Sequence, residues 1–236
     1  MLIYDPLYNG LVFLVDAVPN HDVGIAVVAL TIIVRIILFP LSKRAIESQM
    51  AMKKVAPEVE VLKKKHKDDS VKQSQAIFAL YREHGVHPFA SMGLLLLQLP
   101  VLIALYWVFA AGGLPVIRTE LLYSFVSAPS EVNMLFLGIM DIAGKYNIIL
   151  AVLVAASQLV YSRLSMGPRG SETATEATLS SDMAKSFDLQ ARYVFPLIFG
   201  VISYSVPAAA PLYWFTANLF MIGQEYLSGR RFNNGK

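Results

Sequence analysis

Leu30-Thr31-Ile32-Ile33-Val34-Arg35-Ile36-Ile37-Leu38-Phe39-Pro40-Leu41 is the stretch on which the fold of this chain turns. It closes an apolar run that begins at Val23, and a helix needs roughly 20 mostly apolar residues to cross a bilayer. One permanent charge, Arg35, interrupts the run. A guanidinium inside a spanning helix costs about 2.5 to 3.5 kcal/mol on insertion scales, so something has to offset it.

Three further runs lie outward from this one: Phe89 to Ala111, Tyr146 to Leu164 and Tyr193 to Leu227. With 56% hydrophobic and 16% charged residues and a mean hydropathy of +0.53, the chain is too apolar for an ordinary soluble domain. The last run holds Pro207-Ala208-Ala209-Ala210-Pro211 at its middle. Prolines there end a helix, so the run divides into two short spans joined by a tight turn.

These runs predict an all-α polytopic membrane protein with five transmembrane helices, its N-terminus outside and its C-terminus in the cytoplasm. The expected segments are an external interfacial helix (1–21), a first span (22–41), a cytoplasmic antiparallel helical hairpin (42–88) and a second span (89–111). An external loop with interfacial helices (112–145), a third span (146–164) and a flexible cytoplasmic loop (165–192) follow. A fourth span (193–206), an external turn (207–210), a fifth span (211–227) and a cytoplasmic tail (228–236) complete the chain.

Charge supports this topology. Ten of the 20 Lys and Arg lie in residues 42–88, four in 163–192 and three after 228, while Arg118 and Lys145 fall on the outside. Cytoplasmic enrichment of basic residues is the positive-inside rule, and a four-span chain would send Arg230, Arg231 and Lys236 outside. The first 20 residues contain no Lys or Arg, so they lack the basic start of a secretory signal. Their apolar residues, mixed with Asn9 and Asp16, suit a helix lying on the membrane surface. Cysteine is absent, which excludes disulfides and Cys metal sites.

Within 42–88, Met52, Val55, Val59 and Leu62 recur at helical spacing, with Lys53, Lys54, Lys63, Lys64 and Lys65 covering much of the remaining surface. Lys65 to Ser70 forms a turn, and a second helix is expected to place Val71, Phe78 and Tyr81 against the first. That helix ends at Gly85, a natural C-cap. The lysines either enforce topology alone or touch anionic headgroups, ribosomal RNA or an incoming polypeptide, each lysine near an anionic surface being worth about 1 kcal/mol. His84 and His87 have no acid cluster beside them, so no metal is assigned.

Arg35 lies six residues before Leu41, about 9 Å along a helix rising 1.5 Å per residue. Snorkelling to the cytoplasmic headgroups is disfavoured, because helical side chains lean toward the N-terminus and this helix enters from outside. The spans supply no carboxylate partner: Asp141 precedes the third span and Glu225 falls at the cytoplasmic edge of the fifth. What remains is a hydrated cavity, as intramembrane charges usually require. Thr31, Gln98, Gln158, Ser162, Thr216 and Asn218 lie inside the spans as candidate lining; each alone is better suited to a helix-to-helix hydrogen bond, and together they supply material for a wet groove.

Several motifs in order resemble one family. They are Pro6-Leu-Tyr-Asn-Gly10, the Leu30 to Leu41 stretch, Met50-Ala-Met-Lys-Lys54 and Pro57-Glu58. Tyr81-Arg-Glu-His-Gly-Val-His-Pro88, Gln98-Leu-Pro100, Arg163-Leu-Ser-Met166 and Leu212-Tyr-Trp-Phe-Thr-Ala-Asn218-Leu-Phe follow. The chain resembles compact bacterial members of the YidC/Oxa/Alb family of membrane protein insertases. The resemblance implies a five-span core enclosing a hydrophilic groove in the bacterial cytoplasmic (inner) membrane, with Arg35 as the groove charge and Trp214 among the groove residues. It implies no catalytic chemistry and no cofactor. The implied partners are nascent membrane proteins and membrane lipids, with the ribosome and the Sec translocon as further candidates, and no DNA.

The rival function is a transporter or channel that uses the Arg35 cavity for a small ion or solute. Against it, the sequence has no internal repeat, no paired broken spans and no intramembrane acid suited to carrying a proton. An enzyme is disfavoured too, because no Ser/His/Asp, His-Glu-x-x-His or paired-acid constellation occurs within or beside the spans.

Overall fold

The computed structural model describes residues 4–86, 101, 103–109, 114–166 and 189–229. They belong to two compact units, one of Met1–Ile36 with Pro100–Lys236 and one of Ile37–Leu99.

The first unit opens with helix α1 (Tyr4–Ala17), which buries Tyr8, Leu11, Val12 and Val15 at three- and four-residue spacing and leaves Phe13 exposed. A 3-10 turn at Pro19–His21 follows. Asp22 then caps helix α2 (Val23–Ile37), its Oδ1 accepting a hydrogen bond from Ile25 N at 3.0 Å. α2 buries Val23, Ala26, Val27, Leu30 and Thr31 and exposes Ile32, Ile33, Ile36 and Ile37. A helix apolar on its outer face as well as its inner one is suited to lipid rather than water.

Residues 103–109 are helical, and a long connection runs on from 114. In place of the expected interfacial helices, the described part of this connection holds a 3-10 turn at Thr119–Leu121 and a minimal antiparallel hairpin, β1 (Leu135–Phe136) with β2 (Met140–Asp141). Left-handed backbone at Leu137 (φ 52°) and Gly138 (φ 73°) reverses the chain there, a turn geometry that matches strand twist. Beside this two-by-two-residue hairpin the described fold is mostly helical, as expected.

Helix α5 (Ile148–Met166) is capped by Asn147, whose Oδ1 accepts from Leu150 N at 3.0 Å. A π-helical turn (Gln190–Val194) leads into α6 (Phe195–Ser205), and α7 (Ala209–Leu227) follows. α5 packs along both α6 and α7. Small residues permit the first of these approaches: a Cβ at Gly200 would stand 3.0 Å from Ala155 Cβ and 3.3 Å from Ala151 O. Pro211 sits inside the first turn of α7, where its missing N–H leaves no helical bond unmade.

Among the described residues, α5 is by itself long and apolar enough to cross a membrane, and α2 meets that requirement only together with the helix that follows it. α6, at 11 residues, is short for a bilayer. Residues 87–100, which include most of the expected second span, lie outside the described residues.

The second unit consists of α3 (Phe39–Lys65) and α4 (Ser70–Glu83). α4 runs back along α3: Gln73 Nε2 donates to Lys63 O at 2.9 Å near the turn, and His84 Nε2 lies 3.8 Å from Glu58 Oε1 at the far end. Asp69 caps α4, accepting from Lys72 N at 2.9 Å, and this bond holds its carboxyl below the ordinary range. At the other end Gly85 takes a φ of 63°, with Gly85 N donating to Arg82 O and Val86 N to Tyr81 O. Those two bonds form a Schellman motif.

The core of this unit is Val55, Val59 and Val86, packed with Ala51, Met52, Ile77, Leu80 and Tyr81. The expected inner stripe of α4 is therefore corrected. Val71 is 64% and Phe78 53% exposed, and the face turned to α3 is the one carrying Ile77, Leu80 and Tyr81. Lys53, Lys54, Lys63, Lys64 and Lys65 are all exposed.

Candidate functional site

Arg35 lies on the buried side of α2 and is only 5% exposed. Its Nε is buried with no hydrogen-bond partner among the described residues. The titratable side chains within electrostatic reach of it are Tyr213 on α7 and Tyr161 on α5. Residues from two other helices distant in sequence thus come within electrostatic reach of the guanidinium, and no carboxylate among the described residues is paired with it.

The other expected groove residues are placed as follows. Thr31, one turn before Arg35, donates its Oγ1 to Val27 O at 2.6 Å, and Thr216 donates to Leu212 O at 2.8 Å. Ser162 lies 3.1 Å from Leu159 O and 3.4 Å from Arg192 O. Hydroxyls in apolar helices satisfy themselves this way on their own backbone. Asn218 instead crosses between helices, donating Nδ2 to Ser157 Oγ at 3.1 Å. Trp214 packs edge-on against Phe199, with ring centres 5.4 Å apart. Gln158 is half-buried on α5. Gln98 lies outside the described residues.

Several buried polar residues lie beyond those expected from the sequence to line the groove. Tyr213 is essentially fully buried, and its place in Leu212-Tyr-Trp214 was the available signal. Glu225, expected at the edge of the fifth span, is wholly buried beside buried Gln224, a polar pair in the last turn of an apolar helix. Arg192 is also buried, with a guanidinium nitrogen 3.5 Å from Met166 O. Nearby, Arg163 stacks its guanidinium 5.5 Å from the centre of the Tyr193 ring.

Chemically the arrangement offers a buried cation, phenols, an amide and hydroxyls already committed to carbonyls. Among the described residues no group of three or more His, Asp or Glu could hold a metal ion. An apolar cleft lined by Pro6, Gly10, Phe13, Tyr123, Phe125 and Val126 lies against α1, and none of the expected groove residues lines it.

Helices apolar on both faces around a buried cation define an integral membrane protein with a charged interior. Residues 14–235 match the family model described as 60Kd inner membrane protein, and the chain belongs to that family, the YidC/Oxa/Alb family of its sequence motifs. A protein of Clostridium tetani named Membrane protein insertase YidC is 35% identical over 210 residues, covering 89% of this chain and 83% of the relative. One of Fusobacterium nucleatum with the same name is 31% identical over 226 residues, covering 95% of both chains. A third, of Bordetella petrii, is 28% identical over 225 residues that make up 95% of this chain but 34% of that longer relative. Membership makes this a bacterial inner-membrane protein and not an enzyme.

Proposed function

We propose that the chain is a membrane protein insertase: it takes the hydrophilic tail of a nascent membrane protein into a groove containing Arg35 and releases the hydrophobic segment sideways into lipid. In this reading five helices span the bilayer with the N-terminus outside, and α3 and α4 lie in the cytoplasm. The chain works alone or with the Sec translocon, and its exposed lysines meet headgroups, ribosome or substrate.

The observation that carries this reading is Arg35, buried on α2 with its Nε lacking a hydrogen-bond partner among the described residues. Magnitudes show why such a cation is useful. A carboxylate crossing the bilayer centre costs about 2.5 to 3.5 kcal/mol on insertion scales. Two opposite unit charges 4 Å apart attract by about 4 kcal/mol at an effective dielectric constant of 20. One arginine therefore offsets, to order of magnitude, the penalty of one acidic residue in the tail. Polar side chains along the same helices shorten the apolar distance the tail's backbone has to cross.

The test is rescue of a strain depleted of its own insertase, reading whether a short-tailed single-span protein reaches the membrane. Restored insertion is expected. Failure of the folded, membrane-localised chain to restore it would count against the reading.

A further inference from the structure

The turn joining β1 and β2 places large apolar residues where polar ones are the rule. Its sequence is Phe136-Leu137-Gly138-Ile139, and Leu137 adopts a φ of 52°. Asn, Asp and Gly tolerate that left-handed conformation best, and a larger side chain there carries strain. Leu137 is nevertheless 61% exposed and Ile139 83%. Neither residue serves the core, and both would stand in water if this end of the molecule faced only solvent.

The turn is also held rigidly. Asp22, 3% exposed, caps α2 through Oδ1 and accepts from Leu137 N through Oδ2 at 2.7 Å. Asn133 N donates to His21 O, and Val23 N donates to Asn133 O. On the other side, Ala208 N and Ala209 N donate to Gly144 O and Ile142 O. Gly24 meets the hairpin so closely that a Cβ there would fall on the Phe136 side chain. The hairpin is thus bolted to the start of α2 and to the turn between α6 and α7.

Past exposed Asp141 and Lys145, the start of α5 carries further exposed apolar residues. Tyr146, 64% exposed, donates its N–H to Tyr204 O, and the two rings lie 5.3 Å apart. Ile148 and Ile149 follow at 62% and 67% exposure. Paired tyrosines at the end of an apolar helix mark the headgroup level of a membrane.

We propose that the β1–β2 turn is an outer-leaflet anchor, with Leu137 and Ile139 seated at the boundary between headgroups and acyl chains. The anchor rests on the reading above in which α5 spans the bilayer with its N-terminal end outside. It fixes the depth at which α2 enters, because Asp22 connects the two.

The experiment uses the full chain in phosphatidylcholine and phosphatidylglycerol vesicles. Since the chain has no cysteine, Ile139→Cys, Glu131→Cys and Val152→Cys each carry one fluorophore. Quenching is read with nitroxide-labelled lipids of known depth and with aqueous iodide on both sides. The Ile139 label is expected to be quenched by shallow nitroxide and to lose the iodide quenching seen at Glu131, while the Val152 label responds to deep nitroxide. An Ile139 label as open to iodide as the Glu131 label, with Val152 still in the bilayer, overturns the anchor alone. A label shielded from iodide and lipid alike reports a protein contact and also overturns it. Absence of nitroxide quenching at Val152 overturns the spanning of α5 and the anchor with it. With the label at 139, Leu137→Asn relieves the backbone and is expected to increase iodide access, and unchanged access would contradict a membrane role for Leu137.

Discussion

Asn218 donates a hydrogen bond from Nδ2 to Ser157 Oγ at 3.1 Å, joining α7 to α5 through two buried side chains. The same two helices supply Tyr213 and Tyr161 to Arg35. Interhelical hydrogen bonds in membranes average about 0.6 kcal/mol in double-mutant cycles, with a maximum near 1.7. A cycle of Ser157→Ala and Asn218→Ala, read by unfolding in bicelles, is expected to give a coupling in that range. Strictly additive losses would mean the bond contributes nothing.

The corrected face of α4 separates two substitutions that composition alone would rank alike. Val55→Ala removes two buried methyl groups from the core of α3 and α4 and is expected to cost about 2 kcal/mol. Val71→Ser changes an exposed position and is expected to stay within about 0.5 kcal/mol. Thermal unfolding of the full chain checks both. A larger loss at Val71 would restore the original stripe.

Alkaline pH should loosen the anchorage of α1. Tyr8, buried in α1, accepts a hydrogen bond from Arg118 N at 2.8 Å. Burial raises its pKa above the ordinary 10.0, a rise that the Arg118 hydrogen bond partly opposes. Above about pH 10 the unfolded chain releases a proton that the folded chain still holds, so stability falls until the raised pKa is passed. Melting temperature measured between pH 8 and pH 11 is expected to fall less steeply in Tyr8→Phe than in the unaltered chain. Identical slopes would remove Tyr8 from the explanation.

Much of the helical order was legible because apolar runs and prolines report directly on helices and their ends. Gly85 announced the C-cap of α4 and Pro207 the break before α7, while Pro211, expected to open the fifth span after a turn at 207–210, lies inside a helix that begins at Ala209. The face of α4 was less legible, because Ile77 and Phe78 are adjacent and only the position of α3 decides which one turns inward. The β1–β2 hairpin was missed because its clamp, Asp22 to Leu137, joins residues 115 apart. At the site, residue type revealed Arg35 but not the rotamers that turn Thr31 and Thr216 back onto Val27 and Leu212. Tyr213 and Tyr161, which residue type alone did not single out, are the titratable side chains within electrostatic reach of the cation.

The charge of Arg35 is most directly tested by comparing insertion of one single-span substrate carrying either an acidic or a neutral external tail, in chains with Arg35, Arg35→Lys and Arg35→Ala. Attraction of about 4 kcal/mol per carboxylate at an effective dielectric constant of 20 sets the scale of the effect. Arg35→Ala is expected to lose insertion of the acidic tail while folding normally and retaining the neutral tail, and Arg35→Lys is expected to keep part of the acidic-tail activity. Equal insertion of both tails by the folded Arg35→Ala chain would contradict an electrostatic role for the buried arginine.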